Sequence, residues 1–255
     1  MARTYSGIEK KLSWSGFFFV LPGLVILLFF LAYPVYTAIS TSLTKYDIVS
    51  AVEWVGIKNY IDIFTDSDFI NSLVVTVKYL VGSAVPLIVF SLFFAILLNR
   101  RMKGFELFKV VIFIPVILSQ VVASVIFRYL FHPYGLVNEF LVNIGIMQEY
   151  VKWLGDERYV LWVYIILATW KDVGYFMVLF LAALQTINPE YYEVAIIDGA
   201  NTVQKHYHIT LPLIKATIVF AVIMTFVRVL NLFAPFYMMT YGGPTGSSEV
   251  ISLLI

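Results

Sequence analysis

The chain has 255 residues, of which 61% are apolar and only 13% charged, with a formal net charge of +1 and no cysteine; its mean hydropathy is +0.89. Soluble domains hold about 45–50% apolar and about 25% charged residues, so this chain has too little polar surface to face water all round. The near-neutral charge and the lack of a basic tract give no footing to a nucleic-acid partner, and without cysteine there are no disulfides, thiolate metal sites or cysteine nucleophiles.

At the N-terminus Arg3, Lys10 and Lys11 precede an apolar run from Phe17 to Ala38. The run is longer than a secretory signal core and no small-x-small cleavage site follows it, so it reads as an uncleaved first span. Residues 1–16 are then a cytoplasmic N-terminal segment and 17–255 a transmembrane domain. A helix needs about 20 apolar residues to cross about 30 Å of hydrocarbon. Leu73–Leu98, Leu107–Phe131, Tyr159–Leu184 and Leu211–Met239 meet that length and bring the visible spans to five. Alternating polarity is absent, and helices satisfy their own backbone groups in lipid. The fold class is therefore all-α, a polytopic transmembrane helical protein. Pro22, Pro34, Pro86, Pro115 and Pro235 fall inside spans and mark expected kinks.

Lysine and arginine in short loops set orientation. The N-terminus and the loop holding Arg100, Arg101 and Lys103 are basic and should be cytoplasmic. The loop with Asp47, Glu53, Asp62, Asp66 and Asp68 and the loop with Glu139, Glu149, Asp156 and Glu157 are acidic and should be external. Parity places residues 185–210 inside. Both external loops have room for short interfacial helices, and Trp54, Tyr60, Trp153, Tyr159 and Trp162 suit the membrane–water boundary.

The most informative stretch is Asn188 to Pro212, NPEYYEVAIIDGANTVQKHYHITLP. Asn188 suits a helix N-cap and Pro189 the first helical position. Glu190 and Glu193 lie in the first turns, where the helix dipole favours acids. The helix should run to about Asp198 and stop at Gly199, which can adopt a positive φ. Thr202 is expected to cap a second short helix through about His208, and Pro212 to open the fifth span. Ala195, Gly199 and Ala200 are small, so another protein could approach the backbone closely.

This stretch resembles the EAA loop of ATP-binding-cassette (ABC) importer permeases, which reads EAA, three residues, Gly, nine residues, then Ile-x-Leu-Pro. Glu193, Ala195, Gly199, Ile209, Leu211 and Pro212 match, with Val194 as the one departure, and Asp198-Gly199-Ala200 repeats a common form. Trp170, the Ala182-Ala183-Leu184-Gln185 entry and Gly242-Gly243-Pro244 resemble the sugar-uptake branch, of the maltose and glycerol-phosphate type. The resemblance covers essentially the whole chain. It implies the type I ABC importer transmembrane-domain fold in a bacterial inner membrane. The chain would be a transport subunit, not an enzyme, carrying a sugar or related polyhydroxylated solute. It would bind no cofactor, with ATP and Mg held by a separate ATPase. The implied partners are a second homologous permease, a cytoplasmic ABC ATPase dimer, an extracytoplasmic solute-binding protein and membrane lipid. Glu193, Ala195, Asp198, Gly199, Ala200, Ile209, Leu211 and Pro212 would form the ATPase-coupling loop. Sugar permeases of this branch continue past the Gly-Gly-Pro segment, so a last transmembrane helix is expected to be missing from these residues. Transport of a non-sugar solute by an ABC permease is the alternative within the class.

The sequence has no G-x-x-x-x-G-K-[ST] phosphate loop, so ATP hydrolysis on this chain is not expected. A membrane-embedded enzyme would need a nucleophile with its base, a metal cluster or paired acids. His132, His206 and His208 all lie in loops. An ATPase-independent secondary transporter would leave the EAA spacing unexplained. Ionisable groups within spans are costly and face a cavity or a partner. Lys78 and Arg128 lie near span ends and can snorkel. Lys171 and Asp172 sit near mid-span, where interhelical pairing and pathway lining are both open. Thr225, Arg228 and Asn231 step by three along the fifth span and share a face. At about 1.5 Å per residue Arg228 should lie about 15 Å below the external end, a depth at which transporters bind substrate. Phe233 and Tyr237 are available as aromatic faces. Arg228 either lines the pathway or holds span five to a neighbour, through Asp172 or a partner permease.

Overall fold

The computed structural model describes residues 2–46, 52–99 and 104–254. Asp47 and the basic Arg100, Arg101 and Lys103 lie outside them, as do the side chains of Arg3, Lys10 and Lys11. Among the described residues three helices are long and apolar enough to cross a membrane, and two sharply bent helix pairs raise the number to as many as five. The chain divides into two compact units, Met1–Asp66 and Ser67–Ile255.

In the first unit α1 (Ala2–Leu27) passes through a π-helical turn, Leu28–Ala32, into α2 (Tyr33–Ser42). The stretch Gly16–Ser42 is one candidate span, four residues longer at its end than the apolar run indicates. The π turn lies just ahead of Pro34, whose ring leaves the Phe30 carbonyl without its usual donor. Strands β1 (Thr44–Lys45) and β2 (Glu53–Trp54) pair antiparallel, Thr44 opposite Trp54. Helix α3 (Lys58–Thr65) follows. Asn59 Nδ2 ties it back, donating to the Ser42 and Thr44 carbonyls at 2.8 and 2.9 Å.

The second unit is built on α4 (Ser67–Leu98) and α8 (Val160–Gln185), which pack along most of their length. Two clusters of buried side chains lie along this pair. One holds Tyr79, Phe127, Tyr164 and Phe236, and the other Leu87, Phe176, Phe180 and Ile214. Small residues set the closest approaches. A Cβ on Gly174 would meet the Ile112 carbonyl oxygen at 2.4 Å, so α8 and α5 (Phe105–Ile117) touch backbone to backbone.

The third expected span is not one straight helix. Helix α5 ends at Ile117, Leu118 is extended, and α6 (Gln120–Leu130) leaves at 99° to it. Pro115 removes a donor near the end of α5, and the Ser119 side chain caps α6 by accepting from Val122 N at 3.2 Å. Hydropathy averages over such a break, because both halves are apolar.

Between α6 and α8 the loop carries α7 (Leu136–Asn143). Its centre is Asn138, fully buried with its amide valences filled. Nδ2 donates to the Pro133 and Val151 carbonyls at 2.8 Å each. Oδ1 accepts from Val151 N at 3.2 Å and Trp153 Nε1 at 2.8 Å. Trp153 is thus turned inward, against Phe131. Exposed Trp54 and Trp162 remain suited to the membrane–water boundary. Ahead of α8, the Arg158 guanidinium grips Asp156 through two oxygens at 3.0 and 2.7 Å. These bonds hold the Asp156 carboxyl down at about 2.

The fifth expected span also breaks. After α9 (Glu190–Ile197) and α10 (Thr202–Lys205), a π segment His206–Thr210 leads into α11 (Leu211–Leu213). The chain bends by 69° at Ile214 before α12 (Lys215–Leu230). Pro212 therefore sits in the piece before the bend, and the span itself opens at Lys215. Helix α12 ends at Asn231 rather than running to Met239. Pro235 lies in the first turn of a separate α13 (Ala234–Met239), where its missing N–H costs nothing, whereas continuing α12 through it would strand the Asn231 carbonyl. A loop and α14 (Ile251–Leu254) complete the unit. Ile251 N donates to Thr76 Oγ1 at 3.0 Å and Asn71 Nδ2 to the Gly246 carbonyl at 2.9 Å, which anchors this end on α4.

Candidate functional site

Two places concentrate the residues that sequence reasoning singled out. The first is the elbow at 188–213. The Asn188 side chain accepts from Glu190 N at 3.1 Å, so it caps α9 from one position further out than expected, with Pro189 at the cap itself. Glu190 and Glu193 occupy the first turn, where free backbone N–H groups favour carboxylates. The helix closes with paired bonds, Ala200 N to the Ala195 carbonyl at 2.8 Å and Gly199 N to the Ile196 carbonyl at 3.0 Å. That is a Schellman closure, and it requires the left-handed φ of +77° found at Gly199. The second helix is capped by Asn201, not Thr202. Asn201 Oδ1 accepts from Gln204 N at 2.9 Å, and Gln204 Oε1 accepts from Asn201 N at 2.8 Å, completing a reciprocal capping box.

The two helices enclose an open groove of 310 Å³ lined by Ala195, Asp198, Gly199, Ala200 and Ile209 together with Gln204, Lys205 and His208. Five expected loop residues thus meet in one concavity. Glu193 lies exposed outside it, and Leu211 and Pro212 belong to the turn beyond. Gln204, Lys205 and His208 escaped the sequence reading because helical spacing across the Asn201 cap brings them to the groove, and no motif marks them. Around the rim Val194, Ile196, Ile197 and Val203 are exposed, Ile197 at 84%.

The second place is a cavity of 30 Å³ among α4, α6, α8 and α12, roomy enough to hold water but no solute. Tyr79, Ser83, Gln120, Asp172, Thr225 and Arg228 give it a polar lining. Arg228 Nη1 lies 2.9 Å from Asp172 Oδ1. The guanidinium also sits 4.4 Å from the Tyr175 ring centre and 5.3 Å from that of Phe176, close enough for cation–π attraction. Of the two partners weighed for Arg228, Asp172 is the one the fold supplies. The depth reckoned from Met239 fails, because α12 stops at Leu230 and Arg228 occupies its last turn. There the helix's own carbonyl ends favour a cation.

The expected shared face is also incomplete. Thr225 is buried and bonds the Ala221 carbonyl at 2.8 Å. Asn231 is the C-cap, exposed, and turned back to the Val227 carbonyl at 2.8 Å. Phe233 and Tyr237 stack on each other at 5.1 Å outside the cavity. Gln120 and Tyr175 were missed. Gln120 had a legible signal, being a polar residue beside Ser119 in the middle of an apolar run. Lys171 is buried one residue from Asp172 but does not line the cavity. Trp170 packs on Phe127 with ring centres 5.3 Å apart.

With these geometries in view, the family described as "Binding-protein-dependent transport system inner membrane component" matches residues 72–253. A probable ABC transporter permease protein of Bacillus subtilis (strain 168), YurN, is 34% identical, over 94% of this chain and 83% of its own length. The trehalose/maltose transport system permease protein MalF of Thermococcus litoralis is 32% identical, over 96% of this chain and 82% of its own. A solved bacterial alginate ABC transporter, in complex with a periplasmic protein carrying an alginate pentasaccharide, contains a chain with a TM-score of 0.82 and 24% identity. That match covers 96% of this chain and 83% of the other, and it shows the fold. The chain belongs to the family of binding-protein-dependent transport system inner membrane components.

Proposed function

We propose that this chain is a permease subunit of an ATP-driven ABC importer and forms the membrane pathway for a sugar or related polyhydroxylated solute. The observation that carries the reading is the elbow. Its Schellman-closed helix, positive-φ glycine and small-residue groove present backbone to a partner, and they sit on the residues that match the EAA spacing. The trehalose/maltose permease among the relatives supports a sugar as the solute. On this reading the elbow docks on a separate ATPase that binds ATP and Mg. A second permease completes the pathway, and a binding protein delivers solute from outside, as the family description implies. Glu193, Ala195, Asp198, Gly199, Ala200, Ile209, Leu211 and Pro212 belong to the docking loop. Thr225 and Arg228 contact solute when the cavity opens.

Orientation follows from the loop charges, with the N-terminus in the cytoplasm. Because the chain has no cysteine, single cysteines report topology directly. A membrane-impermeant maleimide applied outside should leave position 101 unlabelled and label position 149. Labelling of 101 from outside overturns the orientation. Purification of the tagged chain from its native operon should bring an ATPase with it, and recovery of an active transporter free of any ATPase overturns the energising mechanism.

A further inference from the structure

The partner-facing helix α9 is thinly attached to the rest of the second unit. None of its eight residues is buried. Tyr192 and Ala195 are half-buried, and Ala195 opens into the docking groove. That leaves Tyr192 as the inward-facing side chain. Its hydroxyl lies 2.9 Å from Oγ1 of Thr210, which is fully buried. The same Oγ1 lies 3.0 Å from Nδ1 of His206. A threonine hydroxyl has one proton to give and two lone pairs to offer, so it can hold both contacts at once.

Thr210 closes the π segment, a local widening that recurs at functional sites. Four residues on, Ile214 is buried in the cluster that holds Phe180 and Leu184 of α8, and α12 begins at the next residue. A displacement of α9 therefore has two routes into α12. The covalent route turns at Gly199 in the left-handed region, where a Cβ would meet no atom within 4 Å. The direct route is the Tyr192–Thr210 bond, which joins α9 to a buried residue on the straight approach to the Ile214 bend.

We infer that Tyr192 and Thr210 are positioning residues that convert movement of α9 into movement of α12. Neither touches solute or nucleotide. The inference rests on α9 being the ATPase-docking helix, and it adds the element by which force leaves that helix.

The test uses the whole transporter with its ATPase in lipid nanodiscs. A single cysteine replaces Asn231, the exposed cap at the far end of α12. Its labelling rate by a maleimide is read on this chain by mass, with and without ATP plus vanadate. The parent should label at different rates in the two conditions. Tyr192→Phe and Thr210→Val should each retain the ATPase but shrink that difference by about fivefold, the weight of one neutral hydrogen bond. The double variant should lose no more than either alone. Thr210→Ser, which keeps the hydroxyl, should behave as the parent. If Thr210→Val fails to assemble, Tyr192→Phe decides, because it removes one oxygen from a half-buried site. An undiminished response in Tyr192→Phe with the ATPase bound overturns the link and leaves docking intact. So does a parent that binds ATPase but shows no response, or a Thr210→Ser as deficient as Thr210→Val. A parent complex that holds no ATPase overturns the docking reading and the link with it.

Discussion

The elbow at 188–213 and the cavity around Arg228 are both polar sites in an apolar chain, and they are assembled by opposite means. The elbow is local. Its caps, its closure at Gly199 and its groove arise within 26 consecutive residues, and each bond joins groups near in sequence. The cavity is non-local. Ser83, Gln120, Asp172 and Arg228 come from four different helices and meet only when those helices have packed. The elbow keeps its form with α9 exposed, so its cost of change lies in partner binding. The cavity lies inside a helix bundle, so its cost of change lies in the bundle.

The sharpest way to break this contrast is Gly199→Leu. A branched side chain at φ +77° costs about 1–2 kcal/mol in backbone strain, and it would project into the space a docked partner needs. Since a Cβ there touches nothing in this chain, membrane insertion and packing should survive. ATP-driven uptake should fall by about tenfold or more, since each 1.4 kcal/mol lost at the contact is about a factor of ten. Gly199→Asn tolerates the left-handed region and separates the two causes. If Asn restores uptake, strain dominated, and if it does not, the open space is what matters. Full uptake by Gly199→Leu would count against docking at this corner.

The same contrast governs what was legible beforehand. Gly199, the acids of the first turn and the Asn188 cap could be read from composition and spacing, because local backbone chemistry decides them. The second cap was misassigned by one residue. Asn201 and Thr202 are both competent N-caps, and the Gln204 side chain returning to Asn201 N settles between them. Around Arg228 the reading went astray for a different reason. Hydropathy carried the span on to Met239, but Pro235 stops the helix, so Arg228 moves from the middle of a rod to its last turn. Thr225 and Arg228 still line one cavity, as their spacing requires, while Asn231 leaves the shared face because it caps the helix. The bend of 99° within the third span was foreshadowed by Pro115 and the polar Ser119-Gln120 pair. The close approach of α5 to Gly174, by contrast, joins residues far apart in sequence, which no local pattern encodes.

At the cavity, the Arg228–Asp172 pair joins α12 to α8. Arg228→Gln removes a charge-assisted bond and leaves Asp172 without its cation. The loss should be about 2 kcal/mol of bundle stability, less than for a fully buried pair because both side chains are only partly buried. Adding Asp172→Asn should recover part of that loss, since it removes the orphaned carboxylate. Detergent half-lives of the two singles and the double give the coupling energy. If the double variant is stable and transports with altered solute preference, Arg228 contacts solute as proposed. If the double variant is stable and transports as the parent does, the pair only holds α12 to α8 and the solute role fails.

The smallest expected effect lies back at the elbow, and it tests whether local order there matters to function. Asn201→Ala removes the side-chain half of the capping box, and such losses cost about 1 kcal/mol. Gln204 keeps its own bond to the backbone N–H of residue 201, so the second helix should fray at its first turn without unfolding. Gln204 and Lys205 on that helix line the groove, so fraying moves two of the groove's eight lining residues at once. The ATPase should then bind about fivefold more weakly, the share of one kcal/mol in an equilibrium constant, while the detergent half-life of the chain stays as in the parent. Asn201→Asp keeps an acceptor at the cap and should bind as the parent does. Titrating purified ATPase onto nanodiscs holding each variant measures this directly. Equal binding by Asn201→Ala would mean that the partner reorders the frayed turn as it docks, and that the groove is shaped by the complex rather than by the free chain.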